Sequence, residues 1–291
     1  MTSRDRWAEW LAERRFGGDP EQRQQVLGRL ARVRDTLLDR AELNEGDRLL
    51  DVGCGEGLIG FGALERGAGA VTFSDVSTDL LDLCREIAKE IGVEDRCAFV
   101  QARAEDLAPL AEGAFDVVTT RSVLIYVKDK PAAFSEFARV LRPGGRISLF
   151  EPINSFADEE GARLGGYELA GLDDIAVKLR RVFDAIQPRG EDPMLDFDER
   201  DLIRLAEREG FFPIDLRLEA VVEPLPPRSW DGFAHTAGNP NIPTLAEAME
   251  QALTAPERER LVEHLRPLVE EGRGVWRMAT AYLLAIKPLG G

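Results

Sequence analysis

The stretch LLDVGCGEGLIGFGALERG, Leu49 to Gly67, limits what this chain can fold into more than any other part of it. A short apolar run reaches Asp51, glycines follow at 53, 55 and 57, and a helical pattern resumes at once. A strand turning sharply into a helix suits this order, and in an open α/β sheet such a turn sits at the carboxyl edge, where ligands bind. Glycine lets backbone approach a ligand because no side chain fills the space.

The residues downstream repeat the rhythm. Apolar runs at Ala70 to Ser74, Ala98 to Gln101, Phe115 to Thr119 and Arg146 to Phe150 alternate with helical patterns at Ser77 to Ile91 and Pro131 to Leu141. Five strands alternating with helices predict an α/β, doubly wound, mostly parallel sheet. Before it, Ser3 and then Asp19 with Pro20 read as openings of two helices, the second carrying Val26, Leu27, Leu30, Val33, Leu37 and Leu38 on one face. These helices are either plain packing elements or a lid. Beyond Pro152 the chain becomes mixed and polar to residue 196. Asp198 to Gly210 reads as a capped helix, Phe211 to Val222 as a strand, Glu223 to Arg228 as a proline-rich joint before helical segments to Glu271, and Trp276 to Ile286 as a closing strand. The expected division is therefore 1–45 a helical cap, 46–152 the core, 153–196 an insertion, 197–222 a core helix and strand, 223–272 a helical insertion and 273–291 the last strand. No internal repeat is apparent.

The glycines at 55, 57 and 60 fit the dinucleotide pattern G-x-G-x-x-G, so the flanking charges have to discriminate between ligands. Asp51 ends the strand and Glu56 lies inside the loop, where a dinucleotide would lay its pyrophosphate, and like charges at such range are costly. S-adenosylmethionine carries an ammonium and a sulfonium there instead, so the carboxylates favour it. Asp75, at the end of the second strand, suits the hydroxyls of a ribose in either ligand; its other role would be a helix cap, which Ser77 can fill.

On LLDVGCGEG, Asp75 with VSTDLL, AEDL at Ala104 to Leu107, FDVVTTRSVLIYV at Phe115 to Val127, and FARVLRPGGRISLFEP at Phe137 to Pro152, the chain resembles the class I S-adenosylmethionine-dependent methyltransferases. It is most similar to the small-molecule group that includes the ubiquinone and menaquinone biosynthesis enzymes. The likeness covers about 46–152, with a weaker echo over 198–222. It implies a seven-stranded Rossmann-like sheet whose last strand is antiparallel, with S-adenosyl-L-methionine as cofactor. It also implies that Asp51, Gly53 and Gly55 surround the methionine moiety, with Cys54 and Gly57 also cofactor-binding, Asp75 the ribose, Val76 and Leu80 the adenine, and Ala104 and Glu105 the adenine edge. Thr120, Arg121 and Ser122 would lie beneath the methionine portion, facing the acceptor. Two residues depart from the group: Arg103 stands where relatives have an acid or amide, and Arg121 puts a cation near a sulfonium. Arg121 is open to two readings, a partner for a carboxylate of cofactor or acceptor, or an ion pair with Glu151 or Asp75.

Methyl transfer from a sulfonium needs alignment and exclusion of water, and a base only if the nucleophile must lose a proton. Candidates for a base are His235, in the segment SWDGFAHTAGNPNIP, Glu151 and Tyr126; His264 lies in a charged helix. His235 is equally readable as a surface residue. The place after the fourth strand that holds a metal-binding carboxylate in catechol methyltransferases reads TTRSVLIYV, so no metal is expected.

A formal charge of −16 disfavours a nucleic-acid acceptor, which leaves an oxygen, nitrogen or carbon nucleophile on a small molecule or short peptide. No stretch approaches the roughly 20 apolar residues of a membrane span, and the charged N-terminus does not read as a secretory signal, so the expected location is cytoplasmic, without membrane binding. Cys54, Cys84 and Cys97 form no C-x-x-C pair and read as free thiols. The oligomeric state is left open. Rival readings are an NAD-dependent oxidoreductase, a non-catalytic S-adenosylmethionine-binding module, and a variant that uses the cofactor for decarboxylation or cyclisation.

Overall fold

The computed structural model describes residues 4–156 and 163–290. Ser3, expected to cap the first helix, lies outside them; Asp5 takes that place, accepting from the amides of Trp7 and Ala8. Helix α1 (Arg6–Glu9) runs into a π-helical turn, and α2 (Pro20–Arg40) opens where Asp19 accepts from Glu21 N and Gln22 N. Val33, Leu37 and Leu38 of α2 are buried as its spacing predicts, whereas Leu27 is exposed.

The alternating part follows as β1 (Arg48–Val52), α3 (Leu58–Glu65), β2 (Ala70–Asp75), α4 (Thr78–Glu90), β3 (Cys97–Gln101), β4 (Phe115–Arg121), α5 (Lys130–Val140) and β5 (Leu141–Pro152). Ser77 caps α4 through Leu80 N. The LRPGG segment lies within β5: Phe115 pairs with Leu141 and Val117 with Arg146, so residues 142–145 bulge out of a continuous strand. Next come a short hairpin of β6 (Arg163–Leu164) and β7 (Tyr167–Glu168), then α6 (Asp173–Ile186), α7 (Glu199–Arg208), β8 (Ile214–Pro224), α8 (Trp230–Ala234), α9 (Leu245–Ala252), α10 (Ala255–Glu270) and β9 (Val275–Ile286).

Seven strands form one sheet in the order β3-β2-β1-β4-β5-β9-β8. Strands β1 to β5 are parallel, and β9 runs antiparallel to β5, with Arg146 opposite Ile286 and Pro152 opposite Thr280. The order reverses between β1 and β4, so the loops leaving these two neighbours diverge and open a crevice at the carboxyl edge.

The chain divides into two compact units. The sheet unit comprises 28–153, 197–219 and 280–291. Its core includes Leu37, Leu49, Phe73, Leu81 and Val117, with Phe73 stacked on Phe99 at 5.4 Å. Its α7 has the predicted cap: Asp198 accepts from Arg200 N and Asp201 N, and Asp201 accepts in return from Asp198 N. The helical unit comprises 1–27, 154–196 and 220–279, around Tyr167, Leu179, Trp230, Leu245, Leu261 and Leu265. Trp10 Nε1 donates to Ala237 O, and Asp19 accepts from Ser229 Oγ. Helix α6 falls in the segment that reads as mixed and polar. It buries Ile175, Ala176, Leu179 and Val182, but Leu172 precedes it and offers no capping side chain, so nothing marks its start.

Candidate cofactor-binding site

Asp51 ends the apolar run of β1 with its carboxylate turned inward. It is 1% exposed, accepts from Gly60 N at 3.0 Å and Thr119 Oγ1 at 3.2 Å, and so ties the glycine loop's helix to β4. Burial raises its pKa to about 7, against these two hydrogen bonds and the field of Arg121. Between Asp51 and α3, Gly53, Gly55 and Gly57 all have positive φ, which glycine adopts without strain. At Gly53 the constraint is also spatial, since an added Cβ would stand 2.3 Å from the Val123 side chain. Gly60 is needed for helix packing, because a Cβ there would strike the Phe73 ring at 2.3 Å.

Asp75 joins the same loop from β2. Its Oδ2 accepts from Gly55 N at 2.9 Å and its Oδ1 from Ser77 N at 2.9 Å, which fixes the carboxylate at the lip of the crevice. Val76, next along, is exposed, whereas Leu80 is buried on α4. Across the loop, Cys54 and Cys84 both direct their sulfurs at Gly55 O. The Cys84 thiol beside Cys54, together with burial, pushes the Cys54 thiol well up, so Cys54 is not a reactive thiolate. Beyond β3, Ala104 is buried, and Glu105 Oε1 accepts from Arg103 Nε at 2.8 Å; the unexpected arginine is a partner of this acid.

The end of β4 closes the other side. Thr120 is buried, Arg121 half-buried, and Ser122 has a φ of +57°, rare for a residue with a side chain. That conformation is held from β5: Ser122 N donates to Phe150 O at 2.8 Å, and Glu151 accepts from Val123 N at 3.0 Å, Leu124 N at 3.1 Å and Ile125 N at 3.4 Å. Burial raises Glu151 to about 7 despite these three bonds. Glu151, a candidate base on sequence, is fully buried with its two oxygens facing backbone amides. Tyr126 sits half-buried in the turn that Glu151 holds. His235 belongs to the helical unit, is exposed, and sets Nδ1 2.9 Å from Asp231 O at the end of α8.

Sequence reasoning missed Val123, which faces Gly53, and Thr119, which holds Asp51. Each is visible only when β1 and β4 are paired, with Asp51 opposite Thr119.

Glycines too crowded for a side chain, an acid at the end of β2 and an edge rich in carboxylates mark this loop as the candidate ligand site of an α/β fold. Residues 50–149 match the model of a methyltransferase domain. The chain is 30% identical over 186 residues to the 27-O-demethylrifamycin SV methyltransferase of Amycolatopsis mediterranei, covering 61% of this chain and 67% of that protein. It is 42% identical over 110 residues to the ubiquinone biosynthesis O-methyltransferase of Alkalilimnicola ehrlichii, covering 38% and 43%. With several curated relatives the match spans about half of their length. In fold it superposes on a geranyl diphosphate methyltransferase solved with S-adenosylmethionine, with a TM-score of 0.54 and 18% identity over 94% of both chains. The chain belongs to the class I S-adenosylmethionine-dependent methyltransferases. Its cofactor is S-adenosylmethionine, and the residues present fit it: the crowded glycines leave bare backbone, and Asp75 sets a carboxylate beside them at the end of β2.

Proposed function

We propose that the protein transfers the methyl group of S-adenosylmethionine to an oxygen, nitrogen or carbon nucleophile of a small molecule or short peptide, without a metal. When bound, the cofactor supplies a methyl group on a sulfonium, open to in-line displacement. The observation that carries this reading is the gathering of Asp51, Glu56 and Asp75 around one glycine loop, a field hostile to a diphosphate and suited to a cationic ligand. Asp75 would accept from the ribose, while Val76, Leu80, Ala104 and Glu105 border the adenine and the loop glycines leave room for the methionine portion. Thr120, Arg121 and Ser122 would line the side from which the acceptor approaches, with Tyr126 nearby. The chain's contribution is positioning and desolvation, and Glu151, which holds the turn after β4, is committed to backbone amides.

Hydroxylated small molecules are the first acceptors to try, because both relatives described above are named for O-methylation. The test is calorimetric titration with S-adenosylhomocysteine and with NAD, followed by transfer of labelled methyl from S-adenosylmethionine to a panel of such acceptors. Binding of S-adenosylhomocysteine and label in a product are expected. Saturation by NAD alone would refute the assignment, and cofactor binding with no transfer to any acceptor would point to a binding module.

A further inference from the structure

Strand β8 is the last of the sheet, with β9 on one side and no described strand on the other. An edge strand is normally kept from pairing with other chains by shortness, a bulge, a proline or a charge turned inward. Here 217–224 are exposed one after another, Leu218 by 45% and Val222 by 55% among them, and no proline comes before the last residue, Pro224. Exposure of both faces is unusual for a strand at the side of a covered sheet, since one of its two rows of side chains should be buried. The rows differ in kind. Ile214, Leu216, Leu218, Ala220 and Val222 make one, apolar throughout, and Asp215, Arg217, Glu219, Val221 and Glu223 make the other.

The backbone of β8 is equally ordered. Ile286 N donates to Pro213 O, and Leu225 N donates to Gly274 O, the same distance on along both strands. Odd-numbered residues between them therefore turn N–H and C=O toward β9, and even-numbered ones turn theirs to the open edge. A second β8 laid antiparallel on that edge is complementary in one register. With Leu218 opposite Leu218 of the second copy, Leu216 meets Ala220, Ile214 meets Val222, and Arg217 faces Glu219 once on each side of the axis. An axis at Arg217 would oppose two arginines, with Asp215 against Glu219, and one at Glu219 would oppose two glutamates, with Asp215 against Glu223. An axis at Leu216 overlaps only 214–218, and one at Ala220 sets Leu216 against Pro224, which has no N–H to give. The charges that meet are also available: Arg40 holds Asp215, Arg217 approaches Asp215 only at 3.8 Å, and Glu219 has no ion pair among the described residues.

We infer that β8 is the interface of a homodimer, in which two copies of the chain pair edge to edge about a two-fold axis at Leu218 and their seven-stranded sheets become one. The pairing makes roughly ten main-chain hydrogen bonds, as many as a typical specific interface, and joins the two apolar rows into one ribbon. Both copies use the same edge, so the assembly closes at two.

The test is sedimentation velocity of the full chain over a range of concentrations, on the wild type, Arg217→Glu, Glu219→Arg and the double variant that exchanges the two charges. Wild type should be a dimer. Each single reversal turns two attractions into two repulsions and should raise the dissociation constant about 10-fold or more, while the exchange restores both pairs and should return it to within about 3-fold of wild type. Leu218→Lys, which brings two lysines together on the axis, should be monomeric at the concentration where wild type is dimeric, and it serves if a reversal fails to fold. Circular dichroism spectra like that of the wild type establish that each variant is folded. A wild type monomeric up to about 100 μM would leave the edge to a strand of some other protein, and a larger oligomer would mean a different contact; either overturns the inference. So does a dimer indifferent to these substitutions, or one weakened by the reversals and not restored by the exchange.

Discussion

Gly53 has a φ of +64°, and its missing Cβ would lie 2.3 Å from the Val123 side chain, so two separate penalties guard one position. Gly53→Ala should therefore destabilise the protein by about 2 kcal/mol or more and abolish measurable S-adenosylhomocysteine binding. Adding Val123→Ala removes the clash but not the left-handed backbone. The double variant should regain about half of the lost melting temperature, and a double variant no better than the single one would show that conformation alone matters there. The glycines at 53, 55 and 57 were legible because a glycine-rich turn between strand and helix has few uses. Val123, 70 positions away in the chain, was not legible, because nothing local marks a residue whose role is to occupy the space a glycine leaves.

At the scale of elements, the join between α2 and β5 depends on Arg146. Its guanidinium donates to Ala41 O and Glu42 O just beyond the helix and reaches Asp47 at 2.5 Å, with both side chains about nine-tenths buried. Arg146→Ala would leave Asp47 and two carbonyls without their donor, a loss of about 3–5 kcal/mol. Arg66, by contrast, meets Asp35 and Asp39 on the surface, where such pairs contribute about 0–1 kcal/mol. Denaturant titrations of Arg146→Ala and Arg66→Ala should differ by at least about 2 kcal/mol, and equal losses would contradict this division. Element legibility followed the end signals. Helix α7, with its aspartate box and Gly210, matched expectation within a residue or two, whereas β8 begins at Ile214, later than predicted, because Pro213 cannot donate to a ladder. Helix α6, lacking a capping side chain, was invisible.

For the whole molecule, Asp51 and Glu151 set the pH response. Both have folded pKa values near 7, above the usual 3.8 and 4.5. Between about pH 4 and 7 the native state therefore holds more protons than the unfolded chain, and stability must fall as pH rises through that range. Carboxylates held low by arginine or amides, such as Asp116 and Glu136, act in the opposite sense below about pH 4, and self-repulsion from the −16 charge adds to the decline on the alkaline side. Unfolding free energies measured from pH 5 to 8 should decrease by an amount on the order of a few kcal/mol, and Glu151→Gln should flatten the slope. A stability that rises over this interval would show that the amides around Glu151 outweigh its burial.

Local chemistry written in consecutive residues was enough for the strand–glycine–helix turn, the alternation of strands and helices and the acid at the end of β2, because short-range sterics and hydrophobic period dictate them without reference to distant chain, and the resemblance those motifs carry implied the seven-stranded methyltransferase sheet. Strand pairing and burial decided the rest. They turned Glu151 from a possible base into a clamp on amides, gave Arg103 to Glu105, and left Arg121 without a partner among the described residues, since what a charged group bonds depends on which distant segments folding brings within about 3 Å of it.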